Sequence, residues 1–138
     1  MDELFALGKR VLENQPFSAW LETQLEVFEA GTAVLVLPVR YELTQQHGFV
    51  HGGVVSYLAD NALTFAGGSV LGDSVTSEYK INYLRPAIGT KLVATARVVS
   101  SGLTQAVCQC TVSAISEEGE KTVAVAQGTI IRVEPREK

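Results

Sequence analysis

Hydrophobic residues along the chain repeat with two different periods, one typical of helices and one typical of strands. From about Gly53 the apolar positions follow helical spacing and would share one face: Val54, Val55, Leu58, Ala62, Phe65 and Ala66. This pattern predicts a long helix whose apolar face lies in the core. Residues 2–13 show the same helical spacing of apolar positions over a shorter segment, with acidic residues first and basic ones near the end. This pattern predicts a short amphipathic N-terminal helix.

The other segments alternate apolar and polar residues with a period of two, as half-buried strands do. Residues 20–28 and 32–37 are separated by Glu29-Ala30-Gly31, which predicts a hairpin. After the central helix the alternation returns in residues 74–84, 91–100, 103–116 and 121–133, which we interpret as a meander of long strands. One long apolar helix and about six strands predict an α+β fold, with the helix packed on an antiparallel sheet.

Composition is consistent with a single domain over residues 1–138. A chain of 138 residues that is 46% hydrophobic can bury roughly two-thirds of its unfolded surface. The formal net charge of −4, without clustered Lys and Arg, argues against a nucleic acid partner. Apolar runs fall short of the roughly 20 residues that span a bilayer. The start MDELFALGKR lacks the order of a secretion signal, so we expect a cytoplasmic protein with no membrane partner.

The predicted central helix carries one carboxylate on its polar stripe. Asp60 lies nearly opposite the centre of the apolar face, with Ser56 and Thr64 one turn away on either side. Tyr57 and Asn61 are close to it on the same surface. A carboxylate in such a stripe can attack a substrate or activate water, or it can be a solvated surface residue.

A glycine pair, Gly52-Gly53, stands where the central helix is predicted to begin. Without side chains there, a ligand can approach backbone N–H groups at the end of the helix where the dipole adds positive partial charge. Such a site polarises a carbonyl. The alternative is that His51-Gly52-Gly53 is simply a tight turn before a helix.

Three motifs stand out in the chain: Gln45-x-x-Gly48-x-x-His51-Gly52-Gly53, then Leu58-Ala59-Asp60, and later Asn82-Tyr83-Leu84-Arg85-Pro86-Ala87. Together they resemble the motifs of the hotdog-fold acyl-CoA thioesterases, in particular the PaaI-like and hydroxybenzoyl-CoA thioesterase group. The resemblance extends over about residues 15–134. It implies the hotdog fold, in which an antiparallel sheet wraps around the long central helix.

The resemblance also implies roles for individual residues. Asp60 would be the catalytic nucleophile or base, and the Gly52 N–H would donate to the thioester carbonyl. His51 would help to hold that carbonyl, Gln45 would orient water or the thioester, and Thr64 would hold the water. Many members with Asp on the helix carry Asn where this chain has Gln45, so the resemblance leaves the preferred acyl group open.

Further residues are candidates for binding the substrate. Thr76 lies near a position that binds water in some relatives, and Gly53 and Asn61 adjoin the catalytic candidates. Tyr57 and Tyr83 would suit an aromatic or medium-length acyl group, or could be plain core packing. Arg85, together with Lys91 and Lys80, could bind the phosphates of coenzyme A. The alternative is that these three side chains are solvated surface charges, as isolated cations commonly are.

A shared active site is a further implication of the resemblance. Hotdog domains of this family pair side by side into one continuous sheet, so that Asp60 would face Gly52 and Gln45 of a second copy. We therefore expect a homodimer or a homotetramer built as a dimer of dimers. Ala59 and Leu63 widen the apolar surface of the central helix, which favours a partner.

Cysteine and histidine usage argues against a metal centre. Cys108 and Cys110 point to one face of a predicted strand, and their spacing would strain a mutual disulfide, so we expect buried free thiols. His47 and His51 are separated by Gly48, which argues against one helix presenting both to zinc. We expect neither a metal nor a cofactor, with coenzyme A present only as part of the substrate.

The sequence therefore predicts hydrolysis of an acyl-CoA thioester to a free acid and coenzyme A. Whether Asp60 attacks the carbonyl directly or acts as a base on water stays open. Two alternatives remain: a hotdog protein that binds or senses acyl-CoA without turnover, and a hotdog dehydratase or hydratase.

Overall fold

The structure, a computed structural model, describes residues 2–134 of the chain. The predicted domain ends, Met1 and residues 135–138, lie outside the described residues. The elements in chain order are α1 Glu3–Glu13, α2 Pro16–Leu21, β1 Gln24–Glu29, β2 Thr32–Pro38, a 3₁₀ turn Tyr41–Leu43, α3 Gly52–Leu71, β3 Ser74–Tyr83, β4 Lys91–Ser101, β5 Gln105–Ser116 and β6 Gly119–Arg132.

A six-stranded antiparallel sheet has the strand order β1-β2-β4-β5-β6-β3 and packs around α3, which contacts every strand. The predicted meander is therefore wrong for β3. This strand does not pair with β4 but lies at the far edge beside β6, with Tyr79 opposite Gly128. The reason is that α3, about 30 Å long, carries the chain across the sheet before β3 begins.

The predicted strand over residues 20–28 is wrong in its first part, where the structure has the short helix α2. Pro16 stands at the first turn of α2, where its missing N–H costs nothing. Glu22 ends the helix in the left-handed conformation, with φ of 65°. Trp20 is consequently a helix residue with 68% of its surface exposed, and β1 begins only at Gln24.

The core lies between α3 and the inner face of the sheet. The buried side of α3 consists of Val55, Leu58, Ala59, Ala62, Leu63, Phe65, Ala66, Gly67 and Leu71, whereas Val54 is half-buried. Burial of each of these leucine side chains, relative to exposure to water, stabilises the folded state by about 1.5–3 kcal/mol. This agrees with the predicted helical face. Ala59 and Leu63 are fully buried within the chain, so the prediction that they leave apolar surface for a partner is wrong.

Both cysteines are free and buried on the inner face of β5. Burial raises the pKa of Cys108 to about 11 and that of Cys110 to about 12. Both therefore remain neutral thiols at physiological pH.

Among the helices of residues 2–134, none has the length and hydrophobicity that a bilayer-spanning helix needs.

Gly67 sets how closely α3 approaches β6. A Cβ atom at Gly67 would lie 2.7 Å from Cβ of Ile130, so a methyl group there forces helix and strand apart. At the neighbouring Gly68 the nearest atom would be Ser74 Oγ at 3.9 Å, an ordinary contact.

We predict opposite effects of alanine at these adjacent positions. Gly67→Ala should lower the free energy of unfolding by about 1–3 kcal/mol because the added methyl group overpacks the core. Gly68→Ala should raise it by up to about 1 kcal/mol because alanine is the better helix former. Urea denaturation of both variants and the wild type measures these changes in the free energy of unfolding. Equal stability of the two variants would contradict the close packing of Gly67 against Ile130.

Candidate active site

The N-terminus of α3 presents one unoccupied backbone donor. His51 is the N-cap, and its Nδ1 accepts a hydrogen bond from the Gly53 N–H at 2.8 Å. The N–H groups of Val54 and Val55 donate to the His51 carbonyl. The Gly52 N–H makes no hydrogen bond to another described residue. The free donor at the positive end of this helix is therefore that of Gly52.

The cap also fixes which nitrogen of His51 can act on a ligand. A ring nitrogen that accepts a hydrogen bond carries no proton, so in the neutral ring the proton is on Nε2. His51, the residue before Gly52, thus offers an Nε2–H donor. Gly53, predicted to bind substrate, has its own N–H engaged by this cap.

Gln45 organises the loop before α3. Its Oε1 accepts hydrogen bonds from the His47 N–H at 2.6 Å and from the Phe49 N–H at 3.3 Å. With the oxygen so engaged, the Gln45 amide NH₂ group is the part of the side chain left for a ligand.

A cavity of about 330 Å³ opens beside these donors, and Gln45, Gly52, Tyr83 and Arg85 all line it. The Tyr83 hydroxyl donates to the Gly52 carbonyl at 3.0 Å and so braces the helix start. The structure thus brings together four residues that are spread over 40 positions of the sequence, from Gln45 to Arg85.

The cavity continues into a second one of about 640 Å³, and together we call them the Gly52 groove. The two cavities share Phe49, Arg85, Pro86 and Val123. The second cavity reaches the β5–β6 hairpin, where Lys121 pairs with Glu118 at 3.6 Å. Neither Lys80 nor Lys91, which the sequence suggested beside Arg85, lines the groove.

Asp60 is half-buried and held by a hydroxyl from the edge strand. Thr76 donates to Asp60 Oδ1 at 2.6 Å. Thr64 Oγ1 lies 2.6 Å from Thr76 Oγ1 and 2.9 Å from the Asp60 carbonyl oxygen. The other carboxylate oxygen, Oδ2, makes no hydrogen bond or ion pair within residues 2–134. The carboxylate is thus oriented with one oxygen available for chemistry.

The strand geometry contributes to this arrangement. A bulge in β3 between Thr76 and Glu78 interrupts the pairing with β6 next to the Asp60 contact. Bulges often re-aim a side chain at a functional site. Sequence spacing gave Thr76 only as a weaker candidate, because the contact joins residues 16 apart across a helix and a strand.

Tyr57 and Asn61, predicted to bind substrate, have partners inside the fold. The Tyr57 hydroxyl donates to Ser18 Oγ at 2.6 Å, and the Asn61 amide donates to Gln15 Oε1 at 3.1 Å. Ser18 is itself buried, so the network ties the α2 region to α3. These contacts span about 40 residues, and periodicity in the sequence gave no sign of them.

Asp60 and Gly52 of one chain are too far apart to act on one carbonyl. They are separated by eight residues of α3, about 12 Å along the helix axis. Reacting atoms need to be about 3–3.5 Å apart. Within one chain the two candidate groups therefore belong to different sites.

Comparison with known proteins identifies the family. The model of the thioesterase superfamily matches residues 47–133 of this chain. The acyl-coenzyme A thioesterase PaaI of Escherichia coli is 31% identical over 122 residues, which are 88% of this chain and 85% of that protein.

Solved structures agree with that match. A thioesterase family protein from Silicibacter pomeroyi superposes with a TM-score of 0.87 at 33% identity, covering 92% of this chain and 96% of that one. The PaaI protein of Escherichia coli superposes with a TM-score of 0.82 at 28% identity, covering 96% and 97%. The predicted hotdog fold is confirmed. The chain belongs to the thioesterase superfamily and is a PaaI-like thioester hydrolase with the hotdog fold.

Proposed function

We propose that this protein hydrolyses an acyl-CoA thioester to a free acid and coenzyme A. The observation that carries the proposal is the Asp60 carboxylate, which Thr76 orients while Oδ2 has no hydrogen-bond partner among the described residues. The free Gly52 N–H and the groove beside it supply a place for the thioester carbonyl. The Escherichia coli relative bears the name acyl-coenzyme A thioesterase, which supports coenzyme A as the leaving group.

The complete site would form between two copies of the chain. Strand β3 is an edge strand, so one row of its backbone N–H and C=O groups is open to pairing with another strand. Pairing of two β3 edges about a two-fold axis would bring each Asp60 toward the partner's Gly52 and Gln45. The homodimer is the smallest active unit under this proposal, and a dimer of dimers would give the homotetramer.

In the proposed reaction, charge that develops on the carbonyl oxygen is stabilised by the Gly52 N–H and the helix dipole. The His51 Nε2–H and the Gln45 amide orient the carbonyl. Asp60 then either attacks the carbon, giving an anhydride that water cleaves, or takes a proton from water that attacks. In both routes the C–S bond breaks and coenzyme A leaves as a thiol after protonation. Single turnover in isotope-labelled water separates the routes, because only direct attack can leave the label in Asp60.

The Gly52 groove is the proposed path of the coenzyme A arm. Arg85 lines both of its cavities and forms no ion pair with another described residue, so its charge is available to a phosphate. Tyr83 would border the same path near the thioester. Tyr57 and Asn61, by contrast, are proposed to hold α2 in place and not to contact substrate directly.

We further propose that residues 1–138 act as one domain in the cytoplasm, with no metal or other cofactor. The free Cys108 and Cys110 are consistent with a reducing compartment. None of the proposed steps at Asp60 or Gly52 requires electron transfer.

We predict that Asp60→Asn loses about a hundredfold or more in kcat/KM for thiol release from an acyl-CoA, because the amide neither attacks nor accepts the proton. Glu26→Gln, which removes an exposed carboxylate on β1, is the matched control and should keep wild-type rates. Equal rates for Asp60→Asn and the wild type would exclude Asp60 as the catalytic group.

Gly52→Pro should abolish the backbone donor while leaving the helix intact. Proline is tolerated at the first position of a helix, and His51 before it already has φ of −57° and ψ of 135°, in the polyproline-II region that suits a residue before proline. Loss of one such donor costs about 10²–10³ in kcat. Gly52→Ala keeps the N–H, and its Cβ would meet the Tyr83 ring at an ordinary 3.7 Å. Circular dichroism checks the fold, and full activity of the proline variant would refute the donor role.

Mixing the two inactive variants tests whether the site is shared. If Asp60 acts with the partner's Gly52, unfolding and refolding Asp60→Asn together with Gly52→Pro should restore about a quarter of wild-type activity. Half of the dimers would then be mixed, and each mixed dimer would hold one intact site. Each variant refolded alone is the control. No recovery, in a mixture that mass spectrometry shows to contain mixed dimers, would contradict the shared site.

A further inference from the structure

Two side-chain hydrogen bonds join α3 to the edge strand β3, one helical turn apart. Thr76 holds the Asp60 carboxylate, and the Tyr79 hydroxyl lies 2.5 Å from Ser56 Oγ. Residues four apart on a helix share a face, so Ser56 and Asp60 point to the same side of α3. The steps proposed at Asp60 do not use the Ser56–Tyr79 contact.

The bulge in β3 explains how both strand hydroxyls reach the helix. In a regular strand, residues three apart such as Thr76 and Tyr79 point to opposite faces of the sheet. The pairing with β6 shifts between Thr76 and Glu78, which returns Tyr79 to the inner face, opposite the buried Gly128. A Cβ atom at Gly128 would lie 2.7 Å from Tyr79 Cβ, so the glycine leaves room for this tyrosine.

The Ser56–Tyr79 contact holds one more proton than it uses. Each hydroxyl carries one O–H, and either oxygen can be the donor in their shared hydrogen bond. Neither hydroxyl makes another hydrogen bond to a described residue. Both side chains are half-buried, so the second O–H is available to a group outside the chain.

The proposed dimer determines what lies opposite this contact. If Asp60 faces the partner's Gly52 about a two-fold axis, the two α3 helices run antiparallel. The residue midway between Gly52 and Asp60 then faces its own copy, and that residue is Ser56. The symmetry of the shared site therefore puts Ser56 at the axis.

Strand β3 locates the axis independently of the helix. Its Tyr83 braces the helix start and its Thr76 holds the Asp60 carboxylate, so each would approach the other's copy across the paired edges. The strand residues midway between them are Tyr79 and Lys80. Tyr79 is also the residue that contacts α3 at the helix midpoint, so helix and strand place the axis at the same contact.

Side-chain faces and charge decide between Tyr79 and Lys80. Residues directly opposite in an antiparallel pair lie on the same face, so one strand residue must be opposite its own copy. With Lys80 there, two ammonium groups would meet. With Tyr79 there, each exposed Lys80 lies opposite the partner's exposed Glu78, which is attractive. Neither charged side chain has an ion pair with another described residue, so both are available for this pairing.

We propose that Ser56 and Tyr79 are positioning residues at the two-fold axis of the catalytic dimer. The hydroxyls of both copies form one chain, in which the two Ser56 side chains hydrogen-bond across the axis and each also bonds to its own Tyr79. This inference rests on the proposed shared site.

The hydroxyl chain fixes the register of the two helices. A slip of one helix residue moves Asp60 by about 1.5 Å relative to the partner's Gly52, and a misplacement of about 1 Å can cost about 10²-fold in rate. The hydrogen bonds across the axis oppose this slip, so they act on the reaction through the distance between the carboxylate and the N–H donor.

The variant Ser56→Cys tests the location of the axis. We predict that it forms a disulfide between two copies under mild oxidation, because side chains that meet across the axis reach the Cβ separation of about 3.5–4.5 Å that a disulfide needs. Val70→Cys, at an exposed position of α3 far from the axis, is the matched control and should stay uncrosslinked. The wild type, with Cys108 and Cys110 buried, should stay uncrosslinked as well. Denaturing gels without reductant measure the covalent dimer.

Charge reversal tests the strand register without changing the hydroxyls. Lys80→Glu and Glu78→Lys should each weaken the dimer about tenfold, because like charges would then face each other. The double variant Lys80→Glu/Glu78→Lys restores the opposite pairs and should return the dissociation constant to within about threefold of the wild type. Light scattering over a dilution series measures this constant. A double variant that dimerises no better than the single variants would refute the register.

Kinetics separate positioning from stability. At concentrations where the dimer is intact, Ser56→Ala and Tyr79→Phe should each lower kcat about tenfold with KM nearly unchanged. The double variant should be no worse, because both changes break the same chain. Ser56→Thr keeps a hydroxyl and should restore kcat. Ser69→Ala is the matched control: its hydroxyl also links α3 to another segment, through the Gly31 N–H at 2.8 Å, so it should lower stability in urea and keep kcat.

The outcomes distinguish this inference from the proposed reaction. A Ser56→Cys disulfide without turnover of any thioester would refute hydrolysis and keep the axis. Recovery of activity on mixing Asp60→Asn with Gly52→Pro, without a Ser56→Cys disulfide, would keep the shared site and refute the location of the axis. An unchanged kcat in Ser56→Ala would refute the positioning role.

Discussion

The packing of α3 into the concave face of the sheet is the interaction on which the rest of the structure depends. Small residues make it possible: Ala62 and Ala66 are fully buried, and Gly67 lies against Ile130 with no room for a methyl group. Because α3 contacts all six strands, its position is set by the whole sheet and not by one neighbour. The helix start at Gly52 and the carboxylate of Asp60 are thereby fixed relative to every strand.

The same helix supplies both halves of the proposed chemistry and keeps them apart. A rigid rise of about 1.5 Å per residue places Gly52 and Asp60 about 12 Å from each other, which no side-chain movement can close. Under the proposed mechanism, the constraint that positions each group therefore also leaves a single chain without a complete site. An open edge at β3, beside Thr76, lies where a second copy could complete the site.

Cavities lie near both ends of α3. Toward the start of α3 the Gly52 groove has mostly apolar walls, among which Arg85 and Lys121 place positive charge. Toward its end a cavity of about 330 Å³ between α1 and α3 has mostly apolar walls, in which Phe28 and Phe65 pack edge to face at 5.5 Å. Because Gly52 lies about 12 Å from Asp60 within one chain, the Gly52 groove that would serve Asp60 in the proposed dimer is the one on the partner.

The sequence alone determined the local features: the bounds of α1 within one residue, the start of α3 within one residue, the strand segments after α3, and the pairing of a glycine start with an acid two turns later. These depend on neighbours in the chain, so periodicity, turn residues and motif spacing are sufficient to find them. Only the tertiary structure decided that β3 pairs with β6, that residues 16–21 form a helix, and that Thr76 holds Asp60. Each of these depends on contacts between residues distant in sequence, which form when burial of α3 brings them together and which no local period encodes.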